Sequence, residues 1–172
     1  RVIPRSRTHG ARVVGTRWVC CNKGDAKNPD IRCRLVCQEV NTYDTDKFFA
    51  ATPPLEALRL ILSLAAEDHR RQVSLVDISR AYFNAEIQRT VYVRLPSEEG
   101  YGSDMVGELV KCLYATRDAA QGWEQTYVVV MKKLGFRRGR SNPCVFAHAT
   151  RDLRCVVHGD DFFSEGLPKD LE

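Results

Sequence analysis

The chain has 172 residues, 44% hydrophobic and 28% charged, with 11 Gly and 7 Pro. That balance excludes disordered and collagen-like chains, and the length suits one domain, or one domain in two lobes. The net charge of +4 is unevenly spread: Arg1, Arg5, Arg7, Arg12, Arg17 and Lys23 precede the first acid, and Lys132, Lys133, Arg137, Arg138 and Arg140 form a second run. Such runs suit nucleic-acid phosphates, although a solvated basic face gives the same pattern. The longest apolar stretch, 58–66, is broken by Arg59 and Ser63 and falls far short of the roughly 20 residues of a membrane helix, so no membrane partner is expected.

With Arg1 first and no apolar leader behind it, the chain reads as a piece of something longer without a secretory signal. Seven cysteines, an odd count, are expected to be reduced thiols in a cytoplasmic or nuclear setting. Cys20-Cys21 and Cys33/Cys37 have neither CxxC spacing nor a nearby histidine, so buried apolar cysteines account for them better than zinc does.

Taken in chain order, residues 1–11 read as an irregular basic lead-in. Residues 18–21 and 31–39 read as two strands of a hairpin around the turn-rich stretch 23–30. Alternation puts Arg32 and Arg34 on one face of the second strand and Ile31, Cys33, Leu35 and Cys37 on the other. After an acidic, aromatic loop at 41–51, Pro53-Pro54 opens a helix carrying Leu55, Leu58, Ile61, Leu62 and Ala65 that frays at Asp68-His69. A short strand over 72–76 ends at Asp77, and 79–85 reads as one or two helical turns. Residues 91–95 form another strand, closed by Pro96 and an acidic, Gly-rich loop over 97–107. A second long helix spans about 119–134 on the spacing of Trp123, Tyr127, Val130, Met131 and Leu134, with Gly135 as its cap. Residues 144–147, 153–157 and 162–163 read as strands separated by turns. Hairpins without regular βαβ alternation predict an α+β fold, an antiparallel sheet with helices on one face.

Two local features carry chemistry. In Val157-His158-Gly159-Asp160-Asp161-Phe162, adjacent carboxylates sit in a tight turn between apolar strands, and such a pair repels itself unless a cation neutralises it. An ordinary solvated turn favours Gly and Asp equally. In Val76-Asp77-Ile78-Ser79-Arg80-Ala81-Tyr82, an apolar strand delivers one aspartate at its end, though Asp77 would also serve as a helix cap. Brought together, Asp77, Asp160 and Asp161 could hold two Mg²⁺ ions about 3.5–4 Å apart, the arrangement used for in-line nucleotidyl transfer; Mn²⁺ would substitute. Hard carboxylate oxygens select such ions over softer metals.

These blocks, with Trp18, Arg32-Cys33-Arg34-Leu35-Val36, Asp46-Lys47-Phe48-Phe49-Ala50, Arg59-Leu60-Ile61-Leu62, Val91-Tyr92-Val93, Leu113-Tyr114, Trp123, Leu134-Gly135-Phe136 and Asn142-Pro143-Cys144-Val145-Phe146, resemble in order and spacing the reverse transcriptase of copia-type retrotransposons. The resemblance runs from about Val14 to Phe163. It implies the fingers (about 14–70 and 86–118) and palm (about 71–85 and 119–172) of a right-hand polymerase without its thumb, preceded by a lead-in at 1–13. It implies Asp77, Asp160 and Asp161 as catalytic and metal-binding residues, and Tyr82 as the aromatic that screens the ribose 2′ position. It places Arg32 and Arg34 toward the nucleotide triphosphate; exposed strand arginines are the alternative. The implied partners are an RNA or DNA template-primer, dNTP and the remainder of a Pol polyprotein, in a virus-like particle in the cytoplasm or in the nucleus. Arg12, Arg17, Lys132 and Lys133 are candidate contacts to the nucleic-acid backbone.

The sequence departs from the family in two places. His158 and Gly159 stand where an aromatic and a small apolar residue usually precede the Asp pair. After Leu113-Tyr114, where Gly and then Gln-Ala-Pro are usual, the chain has Ala115, Asp118, Ala119 and Ala120, and Asp118 is expected to bring a negative charge toward nucleotide and template. A non-catalytic relic that keeps the fold, and another metal-dependent phosphotransferase or nuclease, are the rival readings.

Overall fold

A computed structural model describes residues 1–40 and 48–171; the expected loop over 41–51 and the Asp46-Lys47 part of one motif lie largely outside the described residues. In chain order the elements are β1 (Val2–Pro4), β2 (Val13–Val14), β3 (Thr16–Asn22), β4 (Ile31–Cys37), α1 (Leu55–Glu67), β5 (Gln72–Asp77), β6 (Tyr92–Val93), β7 (Met105–Glu108), α2 (Ala119–Lys133), β8 (Phe136–Arg138), β9 (Val145–His148), β10 (Arg154–His158), β11 (Asp161–Gly166) and α3 (Pro168–Leu171). Single 3₁₀ turns occupy Arg5–Thr8, Ala81–Asn84 and Ser97–Glu99. Among the described residues no helix is long and apolar enough to cross a membrane. The chain divides into two compact units, Arg1–Phe48 with Tyr82–Gly122, and Phe49–Ala81 with Trp123–Glu172.

The first unit holds a four-stranded sheet in the order β1-β7-β6-β2 and the separate β3-β4 hairpin. Its apolar centre is Val14, Cys37, Val91 and Val93, with Ile87, Leu109 and Leu113 packed against them. Two sequence expectations fail here. The lead-in is not irregular, because Val2–Pro4 pairs antiparallel with Met105–Glu108, and the Gly-rich loop therefore contains a strand. Glycine in that strand reflects close approach: a Cβ at Gly107 would stand 3.0 Å from the Val93 Cγ2 atom and 3.1 Å from the Leu95 Cδ2 atom.

The hairpin forms as expected, with Arg34 opposite Val19 and Arg32 opposite Cys21. Its register also sets Cys20 opposite Cys33 with their Cα atoms 3.9 Å apart, and the two form a disulfide. The expectation of seven reduced thiols is thus corrected for this pair, since residues directly opposed across antiparallel strands bring their Cβ atoms within bonding range. Of the remaining five, only Cys21 is exposed. Burial pushes the thiols of Cys37, Cys112 and Cys155 up to about 11, so they carry little thiolate at neutral pH. Alkylation of the folded protein should therefore label Cys21 alone, and prior reduction should add Cys20 and Cys33; mass mapping of the labelled peptides checks this.

The second unit is a five-stranded antiparallel sheet in the order β5-β11-β10-β9-β8. On one face Ala57 and Ile61 of α1 pack on Val156, with Val145 alongside. On the other, Trp123 and Tyr127 of α2 meet Phe162 edge to face, and Tyr127 meets Phe146. Neighbouring residues of a strand point to opposite faces, so Val156 and Phe163 lie on the α1 side while Cys155, Val157 and Phe162 lie on the α2 side. Helices thus cover both faces, correcting the expectation of one. The sign in the sequence is the unbroken run Cys155-Val156-Val157, each 1% exposed, because a strand covered on both sides loses its alternation. The short strand β8 completes the sheet inside the stretch read only as a basic run.

Candidate active site

In the second unit, β10 and β11 form a two-residue hairpin in which His158 faces Asp161, leaving Gly159 and Asp160 as the turn. Gly159 has a φ of +64°, whereas Asp160 is not among the residues with positive φ. This is the pattern of a type II′ turn, whose first central position wants glycine. The departure from the family at Gly159 therefore suits the turn.

Strand β5 lies on the other side of β11, and its register sets Asp77 directly opposite Asp161. The Ile78 N–H donates to the Asp160 carbonyl at 2.9 Å, tying the turn to the end of β5. A third tie comes from α2, where the buried Trp123 indole Nε1–H donates to the Gly159 carbonyl at 2.8 Å. The pairing thus brings together the backbone of all three predicted aspartates. His158 and Asp161 line a cleft of about 260 Å³ with Pro53, Pro54 and Leu58.

Hard carboxylate oxygens are the right donors for Mg²⁺. Among the described residues no three His, Cys, Asp or Glu side chains converge into a cluster able to hold a metal by themselves. The residues present would supply one or two carboxylates, with substrate phosphates completing the shell, the usual construction of a Mg²⁺ site at a nucleotide.

The first unit holds the other candidates. Tyr82 packs edge to face on Tyr114 at 5.5 Å, Phe83 packs on the same ring at 5.2 Å, and the Arg34 guanidinium lies 5.6 Å from its centroid. Tyr114 therefore gathers Tyr82 and Arg34, a role that sequence reasoning missed. Its backbone is fixed by the Cys37 N–H, which donates to the Tyr114 carbonyl at 2.8 Å. Arg32 instead pairs with Asp30 at 3.0 Å, both side chains being exposed, and an exposed pair of this kind holds its partner weakly. Arg12 and Arg17 are exposed in this unit, as are Lys132 and Lys133 in the other. In the second basic run Arg138 is taken up by Glu124 and by the Pro143 carbonyl.

Asp118 is not a charge aimed outward. It is 2% exposed and accepts from Arg89 Nη2 at 3.0 Å, while the Arg89 fork holds both oxygens of Glu39 at 2.7 Å. Burial pushes the Glu39 carboxyl up, but Arg89 and the Arg117 backbone N–H together hold it below its ordinary range. A carboxyl held low in the folded state stabilises fully above its unfolded pKa of about 4.3 and loses that contribution as pH falls further. The urea midpoint of this unit should therefore stay level from neutral pH down to about 5 and drop below it. Glu39→Gln should flatten that acid limb.

Ala115, where the family usually has Gly, adopts φ +61°. A side chain in this region costs roughly 1–2 kcal/mol. Ala115→Gly should raise stability by about 0.5–1 kcal/mol, the relief of strain exceeding the added chain entropy, as read from denaturant midpoints.

Comparison with known proteins shows the family. The model of the reverse transcriptase (RNA-dependent DNA polymerase) family matches residues 4–168. The chain is 28% identical over 94% of its length to a retrovirus-related Pol polyprotein from transposon TNT 1-94 of Nicotiana tabacum, covering 13% of that polyprotein. It is 30% identical over 95% of its length to the truncated transposon Ty1-A Gag-Pol polyprotein of Saccharomyces cerevisiae, covering 12% of it. A Ty1-BL Gag-Pol polyprotein from the same yeast is 29% identical, with 8% covered. The chain thus spans about a tenth of these relatives. No solved structure matches it. With the family model spanning nearly its whole length, the chain belongs to the reverse transcriptase (RNA-dependent DNA polymerase) family, as a domain of the copia type.

Proposed function

We propose that this domain catalyses nucleotidyl transfer from dNTP to a primer 3′-hydroxyl, with Asp77, Asp160 and Asp161 as its catalytic carboxylates. The observation that carries the reading is the β5-β11 register, which sets Asp77 opposite Asp161 and bonds Ile78 to the Asp160 turn. Two Mg²⁺ ions, when bound, supply charge neutralisation at the transferring phosphate and lower the pKa of the attacking hydroxyl. Asp77, with Asp160 or Asp161, would hold them.

The chain's own residues do the rest. The edge position of β5 leaves Asp77 exposed to substrate, and the hairpin turn presents Asp160 beside it. Arg34, held on the Tyr114 ring, offers a planar fork suited to triphosphate oxygens. Tyr82, on the same ring, screens the ribose 2′ position. Arg12, Arg17, Lys132 and Lys133 meet backbone phosphates, a contact that weakens with salt and ignores sequence. In this reading the second unit is palm, including α1 because it packs on the five-stranded sheet, and the first unit is fingers.

Extension of a DNA primer on an RNA template by the Pol reverse transcriptase that carries this domain tests the reading. Incorporation that requires Mg²⁺ or Mn²⁺ supports it. Binding of the template-primer without incorporation in either ion would make the domain a relic.

A further inference from the structure

We propose that Trp123 is a positioning residue for the reaction: its indole N–H holds the Gly159-Asp160 turn in the shape that presents the catalytic aspartates. The inference rests on the polymerase reading above and adds a residue to it. Trp123 is 6% exposed, and its indole N–H bonds outside its own helix. It donates to the Gly159 carbonyl at 2.8 Å, a main-chain atom one residue before Asp160.

The turn needs such a restraint. His158, Gly159 and Asp160 are all exposed, so side-chain packing does not fix them, and glycine is the residue whose backbone is most free to move. Adjacent carboxylates in the turn repel one another and favour any motion that separates them. Two hydrogen bonds from outside the hairpin oppose that motion: one from the Ile78 N–H to the Asp160 carbonyl, and one from Trp123 to the Gly159 carbonyl. The first comes from the residue after Asp77, so it ties the turn to the end of β5. The second comes from α2, whose Trp123 and Tyr127 rings are packed on Phe162, and so it references the turn to the packed aromatic cluster of the unit. A buried indole seeks a partner for its N–H; here the partner is the catalytic turn.

The test replaces the N–H while keeping the ring. Trp123→Phe removes the donor, and benzothienylalanine at position 123 exchanges the N–H for sulfur in a ring of the same shape, so that packing loss and hydrogen-bond loss are told apart. In the complete reverse transcriptase, both variants should lower kcat about 10–100-fold, the effect of a small misplacement of reacting groups. The KM for dNTP, the affinity for template-primer and the melting temperature should change little with benzothienylalanine. Amide exchange over residues 158–162 should accelerate in both variants while that of 154–157 does not. If benzothienylalanine leaves both kcat and exchange in the turn as they were, the inference is overturned. If the unsubstituted enzyme fails to extend primers, the polymerase reading falls, and the exchange measurement still decides whether Trp123 holds the turn.

Discussion

Glu165→Ala should destabilise the second unit by about 3–5 kcal/mol, the cost of breaking a buried ion pair by removing one partner. Glu165 is 0% exposed on β11. One oxygen accepts from Arg71 Nε at 2.6 Å and the other from Arg154 Nη1 at 2.7 Å. Both guanidiniums also meet Asp152, Arg71 at 2.6 Å and Arg154 at 2.8 Å, so two acids and two bases close a ring that ties β10, β11 and the residue before β5 to the turn before β10. Removing Glu165 leaves the Arg71 side chain, 10% exposed, with one exposed acid in place of two partners. The expected loss is a large part of the roughly 5–15 kcal/mol that holds a domain together. Glu165→Gln should be nearly as damaging, because its amide sets a donor against a donor. Urea unfolding followed by circular dichroism reads the effect, and a loss under 1 kcal/mol would mean the ring contributes no more than a surface pair.

Asp77→Asn should lower primer extension at least about 1,000-fold while leaving the fold intact. The amide keeps the side-chain shape but removes the charge proposed to hold a cation at the transferring phosphate. Charge stabilisation there amounts to several kcal/mol, and each 1.36 kcal/mol is tenfold in rate. Stability should move the other way. Asp77 and Asp161 are cross-strand partners, and like charges directly opposed cost a few tenths of a kcal/mol, up to about 1 kcal/mol. Without divalent ions the variant should therefore melt no lower than the parent. Added Mg²⁺ should raise the melting temperature of the parent more than that of the variant, because only the parent keeps the full carboxylate set.

Much of this was legible from residues alone, where a signal was local. Alternation in Ile31–Cys37, the helical spacing from Leu55 to Ala65, and the end of a strand at Asp77 all reflect neighbours within a few residues. What stayed hidden depends on partners far along the chain. Val2–Pro4 is a strand only because Met105–Glu108 lies beside it, and three residues with a proline carry no period of their own. The Cys20 to Cys33 bond needed a register that the turn over 23–30 does not spell out. Asp118 reads as an intruding charge until Arg89, 29 residues away, is seen beside it. The bond from Trp123 to Gly159 spans 36 residues, and in the sequence its only sign is a tryptophan on an apolar helix face. The three candidate aspartates were legible as a pattern of blocks; that Asp77 and Asp161 share one rung of the sheet was not.

The proposed activity is tested most directly by single-nucleotide incorporation by a complete reverse transcriptase containing this domain, measured on a primed RNA template with Mg²⁺ for the parent and for Asp77→Asn and Asp160→Asn. The expected result is incorporation by the parent and a loss of at least about 1,000-fold in each variant, with template-primer affinity retained. Incorporation by either variant at a rate close to the parent's would contradict it.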